Sequence, residues 1–393
     1  MRDIGVSNPG DTAIFYRTNA QSRIFEETFL RSAIPYKVVG GVRFYERKEV
    51  KDFLGYLRTL VNPEDEVSLR RIINTPKRGI GDRALDVIDL HAATHGISFW
   101  RALCDAKNAP GIPTRSLVAV NDFIHLLDSL RTLVEANTKP SIIAQAVLEQ
   151  SGLLAELANS SDPQDEGRVE NLQELVSVAT EYEESEVDEG EEISLSGFLE
   201  DVSLVADSDQ IPDGEDHGGV VTMMTLHTAK GLEFPTVFLT GMEEGIFPHS
   251  RTLGERAEIE EERRLAYVGL TRARKRLYLS RSEYRSSWGA PTYNAPSRFL
   301  AEIPEGVISW NTISSAPKPR VATRTFGPPP RATGKKVEST LVLEVGDRVS
   351  QDTFGLGKVV AVACSGDRAE ATIDFGSAGE KRLLLRYAPV ERL

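Results

Sequence analysis

The stretch VVTMMTLHTAKGLEFPTVFLTG, residues 220–241, decides the fold because it places a polar loop between two buried strands. Residues 220–226 and 236–240 are short apolar runs rich in β-branched side chains, which is typical of strands inside a sheet. Farther on, EEERRLAYVGLTRARKRLYLS, residues 260–280, begins as a charged helix and predicts a strand at 277–280. This order of elements predicts an α/β sheet whose loops at the strand ends bind ligands.

The polar loops of this region offer groups that bind anions, together with one carboxylate. His227, Lys230, Arg272 and Arg274 lie on predicted loops, and Glu233 follows the glycine of the first loop. Solvated loop charges without a function would produce the same pattern. The spacing of these residues therefore leaves both interpretations open.

Composition limits the class of protein. The chain has 393 residues, enough for about two to four domains. Its formal net charge of −13 argues against unspecific coating of nucleic acid but allows a local basic groove. Cys104 and Cys364 lie far apart and form no metal-binding or redox spacing, which suits a reducing compartment. Since the sequence shows neither a signal peptide nor a membrane-length apolar run, we expect a cytoplasmic protein without a membrane partner.

Two long runs of sequence are more specific than any spacing. MTLHTAKGLEFPTVFLTGMEEGIFPH, residues 224–249, and EEERRLAYVGLTRARKRLYL, residues 260–279, resemble the fifth and sixth motifs of the UvrD/PcrA/Rep family of superfamily-one DNA helicases. The run at residues 13–58 is similar to the second motor domain of that family. The resemblance extends from about residue 11 to the C-terminus. It implies an α/β RecA-like domain of the P-loop NTPase type.

The sequence pattern and the resemblance together predict five segments. Residues 1–47 and 213–308 form the RecA-like domain, called 2A in the family. Residues 48–212 have apolar positions at helical spacing and resemble the inserted all-helical 2B domain. Residues 309–340 are rich in Pro and basic side chains and predict a semi-extended linker. Residues 341–393 alternate in short runs broken by glycine, which predicts a five-stranded small barrel of the SH3 or Tudor type.

Several local predictions complete this outline. The acidic tract at 181–194 predicts a solvated loop, and the polar stretch at 207–219 predicts a hinge between the helical and RecA-like domains. A first helix follows the strand at residues 11–17, and four of its side chains are predicted to point inward: Ile24, Phe25, Phe29 and Leu30. The sequence of the barrel segment resembles the Tudor-like domain that docks on RNA polymerase in this family. Three of its aromatics are candidates for that contact or for the core: Phe354, Phe375 and Tyr387.

The resemblance implies a nucleotide site shared with a second motor domain. Gly231, Glu233 and Arg272 would contact ATP, with Glu233 accepting a hydrogen bond from the ribose. Arg272 would be the catalytic arginine finger that stabilises charge on the transferred γ-phosphate. The cofactor would be ATP with Mg²⁺, and the Mg²⁺ ligands are expected on the N-terminal half of the helicase.

The resemblance also implies two DNA contacts. Guanidinium, amide and aromatic groups at strand ends can follow a phosphate backbone and stack on bases without reading sequence. Six residues are expected to contact single-stranded DNA: Arg17, Asn19, Arg43, His227, His249 and Trp288. Backbone amides of the tight turn in NTPKRGIGD, helped by Lys77, Arg78 and Arg83, can hold a duplex phosphate, although a helix–helix turn alone would look the same. The implied duplex contacts are Thr75, Gly79, Ile80 and Gly81.

One part of the family pattern is missing from this sequence. It contains no GxxxxGK[ST] phosphate loop and no metal-binding DExx box at the end of an apolar strand. We therefore expect the C-terminal portion of an ATP-dependent 3′–5′ DNA helicase of repair or replication, inactive without its N-terminal half. The alternative is a stand-alone module from a truncated gene that binds DNA and RNA polymerase. A subunit of a nuclease-linked helicase is less well supported, because no Asp/Glu/Lys nuclease cluster is evident.

Overall fold

A computed structural model gives the architecture of the chain. It describes residues 8–189, 193–206, 218–287, 290–311, 343–363, 369–387 and 390–393. The hinge prediction at 207–219 and the linker prediction at 309–340 lie almost wholly outside the described residues, and Trp288 lies outside them too. None of the described helices is both long and apolar enough to cross a membrane.

A parallel five-stranded sheet forms the α/β part, in agreement with the predicted RecA-like fold. Its spatial order is β2-β3-β1-β4-β5, and every neighbouring pair is parallel. The strands are β1 Thr12–Tyr16, β2 Tyr36–Val38, β3 Val221–Thr225, β4 Phe234–Leu239 and β5 Ala273–Leu279. Strand β5 begins four residues before the predicted start at 277, because it is an edge strand whose first half exposes charged side chains and lacks the apolar run of a buried strand.

Two cores cover the two faces of this sheet. On one face, Phe15 of β1 packs in a cluster with Leu265 of helix α11 (Arg256–Leu270). On the other face, Ile14 packs in a cluster with Phe29 of helix α1 (Ser22–Arg31). Successive side chains of a strand point to opposite faces, so the completely buried strand β1 contributes to both cores.

Helix α1 departs from its predicted orientation. Phe29 is buried as expected, but Ile24 is 48% exposed, whereas Arg23, Glu26 and Glu27 are buried. The inward assignment of Ile24 was therefore wrong. Charged side chains take the buried positions because this flank of α1 faces a helix of the following block and is held there by ion pairs.

A block of helices lies between β2 and β3. Within the described residues it comprises α2 Lys48–Val61, α3 Glu66–Ile72, α4 Asp82–His95, α5 Phe99–Cys104, α6 Thr114–Glu135, α7 Pro140–Gln150, α8 Leu153–Ala158, α9 Pro163–Glu189 and α10 Leu195–Ala206. Helix α9 continues through most of the acidic tract for which the composition predicts a solvated loop. Tyr182 and Glu183 are buried there, and the Glu183 carboxylate accepts a hydrogen bond from the Ser141 backbone at 2.6 Å. The loop prediction is therefore wrong up to Glu189.

The C-terminal segment is an antiparallel five-stranded sheet ordered β11-β10-β9-β8-β12. Its strands are β8 Arg348–Gln351, β9 Gly355–Ala363, β10 Glu370–Asp374, β11 Glu380–Leu384 and β12 Glu391–Arg392. This sheet packs against α6 and α7 through a shared apolar core and through ion pairs such as Lys381–Glu135 at 2.7 Å. Of the three candidate aromatics, Phe375 joins that core and Phe354 packs on the Phe375 ring. The Tyr387 hydroxyl donates a hydrogen bond to Glu149.

Candidate nucleotide site and nucleic-acid interface

The two loops of the predicted nucleotide site lie side by side at the amino ends of β4 and β5. The segment 231–233 leads into β4, and Arg272 immediately precedes β5. The Phe234 backbone donates a hydrogen bond to the Arg272 carbonyl at 3.0 Å, which fixes one loop against the other. The structure therefore brings together Gly231, Glu233 and Arg272.

Unlike most other arginines of the α/β part, Arg272 donates to neutral oxygens and to no carboxylate of the described residues. Its guanidinium donates to the Val268 carbonyl at 2.9 Å, the Leu232 carbonyl at 3.4 Å and the Thr271 hydroxyl at 3.0 Å. All three acceptors are neutral, and no carboxylate among the described residues pairs with Arg272. The positive charge is therefore positioned but not neutralised, which suits an anionic phosphate.

The neighbouring residues are also compatible with a nucleotide. Gly231 has φ +86°, and a Cβ there would meet no atom within 4 Å, so its conformation rather than crowding favours glycine. The Glu233 carboxylate accepts a hydrogen bond from Arg274 at 3.0 Å through Oε2 and remains about half exposed. A fixed cation beside an accessible carboxylate matches a phosphate and a ribose hydroxyl. Among the described residues, no cluster of His, Cys, Asp or Glu is arranged to hold a metal ion.

The opposite, carboxyl edge of the sheet holds the candidates for single-stranded DNA that follow β1, β3 and β4. Arg17, directly after β1, donates to both carboxylate oxygens of Glu262, with a closest contact of 2.7 Å. Glu262 is 2% exposed and also accepts from the His249 backbone at 3.1 Å. Desolvation and the nearby charge of Arg17 lower the pKa of His227, and Glu262 acts in the opposite direction. One buried carboxylate of α11 thus joins Arg17 to His249, beside His227.

The other candidates for single-stranded DNA are more scattered. Asn19 is exposed at the start of a short 3₁₀ turn, next to Gln21, whose side chain accepts from the backbone of Arg17 at 2.9 Å. Arg43 forms an ion pair with Glu46 at 2.6 Å and lines a small pocket with Phe44, away from the residues around Glu262. The geometry of Trp288 lies outside the described residues, although the flanking strands β6 Arg285–Ser287 and β7 Ala290–Thr292 are described.

A groove of about 850 Å³ separates this edge from helix α9. Carboxylates of α9 reach across it to cations of the α/β part. His249 Nε2 lies 2.8 Å from Glu170, Arg23 Nε lies 2.7 Å from Glu174, and Arg251 pairs with Glu166. The sequence alone does not reveal these partners, although the spacing of four between the three acids along one helix is a signal for a single charged face.

The predicted duplex contacts lie together on the loop between α3 and α4. Gly79 has φ +81°, and a Cβ there would meet no atom within 4 Å, while Gly81 precedes the first turn of α4. The Thr75 hydroxyl donates to the Arg71 carbonyl at 3.1 Å. Ile80 is 1% exposed, so its side chain belongs to the apolar core and only its backbone is available to DNA.

The parallel sheet and the accompanying antiparallel sheet agree with the C-terminal part of a RecA-like helicase. The family model of the UvrD-like helicase C-terminal domain matches residues 5–284, and that of the PcrA/UvrD tudor domain matches residues 345–392. The chain therefore belongs to the UvrD/PcrA family of helicases.

Curated relatives give the same result. The chain is 50% identical over 404 residues to the ATP-dependent DNA helicase UvrD1 of Mycobacterium tuberculosis strain H37Rv, covering 98% of this chain and 52% of that protein. It is 40% identical over 402 residues to the ATP-dependent DNA helicase PcrA of Bacillus subtilis strain 168, covering 100% and 54%. The chain spans about half the length of the curated relatives it matches.

Proposed function

We propose that this chain supplies the second motor domain of an ATP-dependent helicase that moves 3′ to 5′ along single-stranded DNA in repair or replication. The observation that carries the proposal is Arg272, a guanidinium held by neutral acceptors beside residues 231–233. A charge prepared in this way costs little reorganisation when negative charge develops on a phosphate.

In this proposal Arg272 is the arginine finger, and Glu233 accepts a hydrogen bond from the ribose. Gly231 keeps the loop in a conformation that lets the nucleotide approach. Bound ATP would provide the free energy of hydrolysis, with its phosphates and Mg²⁺ held by a separate phosphate-loop half. The chain alone is expected not to hydrolyse ATP, since the sequence has neither a phosphate loop nor a metal-binding DExx box at the end of an apolar strand.

The carboxyl edge of the sheet is proposed as the platform for single-stranded DNA. Arg17 and His249 are held by Glu262, and the other proposed contacts are Asn19, Arg43, His227 and Trp288. The helical block would be the 2B domain, and the loop with Thr75, Gly79, Ile80 and Gly81 would contact duplex phosphates. The proposed boundaries are 1–47 and 213–308 for domain 2A, 48–212 for 2B, 309–340 for the linker and 341–393 for the Tudor-like barrel.

A second candidate function is binding of RNA polymerase by the C-terminal sheet, which would also serve a stand-alone module. Strand β9 exposes three apolar side chains, Leu356 at 71%, Val360 at 45% and Val362 at 38%. Because Phe354, Phe375 and Tyr387 pack inward or against the helical block, these exposed residues are the better candidates for a polymerase contact. Leu356→Lys should abolish co-purification with RNA polymerase while leaving DNA binding unchanged.

The experiment that tests the main proposal measures ATP hydrolysis stimulated by single-stranded DNA, using the chain with and without a separately supplied phosphate-loop half. Activity only on mixing, with unwinding of duplexes that carry a 3′ tail rather than a 5′ tail, is the expected result. Activity of the chain alone would contradict the assignment of the missing half. No ATP hydrolysis with or without the added half, while DNA and polymerase binding remain intact, would favour the stand-alone module.

A further inference from the structure

Arg78 occupies an unusual position in the loop between α3 and α4. Its two terminal nitrogens donate to five acceptors drawn from the loop, from helices α2 and α3 and from the turn after α7. These are the carbonyls of Ile72 at 3.1 Å, Thr75 at 3.0 Å, Pro76 at 3.3 Å and Ser151 at 2.9 Å, and the Tyr56 hydroxyl at 2.5 Å.

Aromatic rings complete the surroundings of this guanidinium. Its central carbon lies 5.1 Å from the ring centre of Phe123 on α6 and 5.8 Å from that of Tyr56 on α2. The Tyr56 hydroxyl in turn donates to the Thr75 carbonyl at 2.5 Å. A planar fork that spreads over several carbonyls and two ring faces is a property of arginine that lysine cannot reproduce. Arg78 therefore links the loop to α2, α6 and the end of α7.

The neighbouring cations have a different environment. Lys77 and Arg83 are exposed, and no hydrogen bond or ion pair engages either side chain within the described part of the chain. A guanidinium has four terminal N–H donors, and those of Arg78 are already directed at protein acceptors. Lys77 and Arg83 can consequently reach a phosphate without giving up a contact, whereas the terminal N–H groups of Arg78 cannot.

The far side of the loop is fixed as well. A Cβ on Gly152, which has φ +86°, would lie 3.4 Å from Cγ of Pro76. The turn that follows α7 therefore packs closely on Pro76, while Arg78 ties the adjacent carbonyls to the same turn through Ser151.

We propose that Arg78 is a positioning residue, which holds the loop from Thr75 to Gly81 in the shape that presents Lys77 and Arg83 to duplex phosphates. It does not itself contact DNA. This inference rests on the proposed duplex contact of the loop. It replaces the sequence-based expectation that Arg78 helps to hold the phosphate.

The test compares duplex binding and backbone mobility in variants of this chain. Arg78→Lys and Arg78→Gln should both weaken duplex binding about tenfold, because neither lysine nor glutamine has the planar fork that holds the loop in shape. Amide hydrogen exchange at residues 75–81 should accelerate in both variants. The slope of log affinity against log salt should stay unchanged, since the bound loop still makes its phosphate contacts and only the cost of ordering the free loop rises.

Two further sets of variants make the result interpretable. Lys77→Gln and Arg83→Gln should each reduce the salt slope by about one, as expected for phosphate ligands. Arg101→Gln, which removes an exposed arginine of the same helical block, should leave duplex binding and exchange at 75–81 unchanged.

The outcomes separate the inference from the function on which it rests. Wild-type binding by Arg78→Lys, with a salt slope reduced by about one in Arg78→Gln, would make Arg78 a direct phosphate ligand and overturn the inference. Unchanged amide exchange in both Arg78 variants would also overturn it. If Lys77→Gln and Arg83→Gln leave duplex binding unaltered, the proposed duplex role of the loop fails, while the exchange data still decide whether Arg78 holds its shape.

Discussion

The arginines at the two edges of the parallel sheet have different hydrogen-bond partners. At the amino edge, the acceptors of Arg272 within the described residues are all carbonyl and hydroxyl oxygens, so its charge remains available to an incoming anion. At the carboxyl edge, Arg17 is bound by both oxygens of the buried Glu262. A phosphate can bind beside Arg272 without displacing anything, whereas at Arg17 it must share or replace a carboxylate. In the proposed function, the first edge serves catalysis and the second a reversible grip on single-stranded DNA.

Helix α11 connects the two edges. Glu262 lies in its middle, and Arg272 lies two residues beyond its C-terminal end. With a helical rise of 1.5 Å per residue, about 15 Å separate them along the chain direction. A shift of α11 on nucleotide binding would move the partner of Arg17 and His249 directly, which gives the two sites a physical connection.

The largest effect is expected at the amino edge. Arg272→Ala should reduce DNA-stimulated ATP hydrolysis of the assembled helicase by about 10³-fold or more, because the charge that stabilises the transferred phosphoryl group is lost. Steady-state hydrolysis rates would check this, and single-stranded DNA affinity should remain near that of the wild type. Arg256→Ala, an exposed arginine at the start of α11, is the matched control. A loss below tenfold would show that Arg272 is not the finger.

The next largest effect tests the carboxyl edge through stability. Glu262→Ala should lower the free energy of unfolding by about 3 kcal/mol, because it leaves the partly buried Arg17 without its carboxylate. Urea denaturation of the chain would measure it, and a double-mutant cycle with Arg17→Ala should give a coupling of about 1–3 kcal/mol. Glu261→Ala removes an exposed carboxylate one position away and should change stability little. A coupling near zero would show that Glu262 does not hold Arg17, and the two edges would then not differ in how they hold their arginines.

The strands in this comparison follow from the sequence more readily than the partners of their flanking residues do. The strands β1, β3 and β4 are short apolar runs, so their positions follow from local pattern. The pairing of Arg17 with Glu262 joins residues 245 positions apart, and no local pattern contains that information. In the sequence, Glu262 is one of several acids on a charged helix, and no local pattern sets it apart.

Helix α9 also shows that a local sequence pattern does not contain the contacts made with distant residues. Its acidic tract resembles a loop in composition, yet glutamate is a good helix former and Tyr182 anchors the segment in the core. The start of β5 was missed for a related reason, because an exposed edge strand needs no apolar alternation. Burial by distant elements, rather than local propensity, decided both cases.

A smaller effect is expected from the acids that face the carboxyl edge. Glu170→Gln removes the carboxylate next to His249 and one negative charge from the groove, so affinity for single-stranded DNA should rise about two- to fivefold. Fluorescence anisotropy at low salt would detect it, and the gain should shrink as salt screens the charges. Glu156→Gln on α8, outside the groove, is the control. A loss of affinity would instead mean that Glu170 holds His249 in its binding position.

The smallest effect concerns pH and His227. Its pKa in the folded chain is lowered by desolvation and by Arg17, while the unfolded chain has the ordinary value of about 6.5. Below about pH 6.5 the unfolded state therefore binds more protons, so this residue makes the folded state less stable as pH falls and has no such effect above that value. His227→Gln should flatten the fall of Tm on acidification, and the exposed His125→Gln should not.

The same titration separates the two groups that act on His227. Glu262 opposes the influence of Arg17, so Glu262→Ala should lower the pKa of His227 further and extend the acid-sensitive range to lower pH. NMR titration of the His227 ring in both chains would measure the change directly. An unchanged or raised pKa in the Glu262 variant would show that Arg17 no longer acts on the ring once its partner is gone. The carboxylate would then set the position of Arg17 as well as balance its charge.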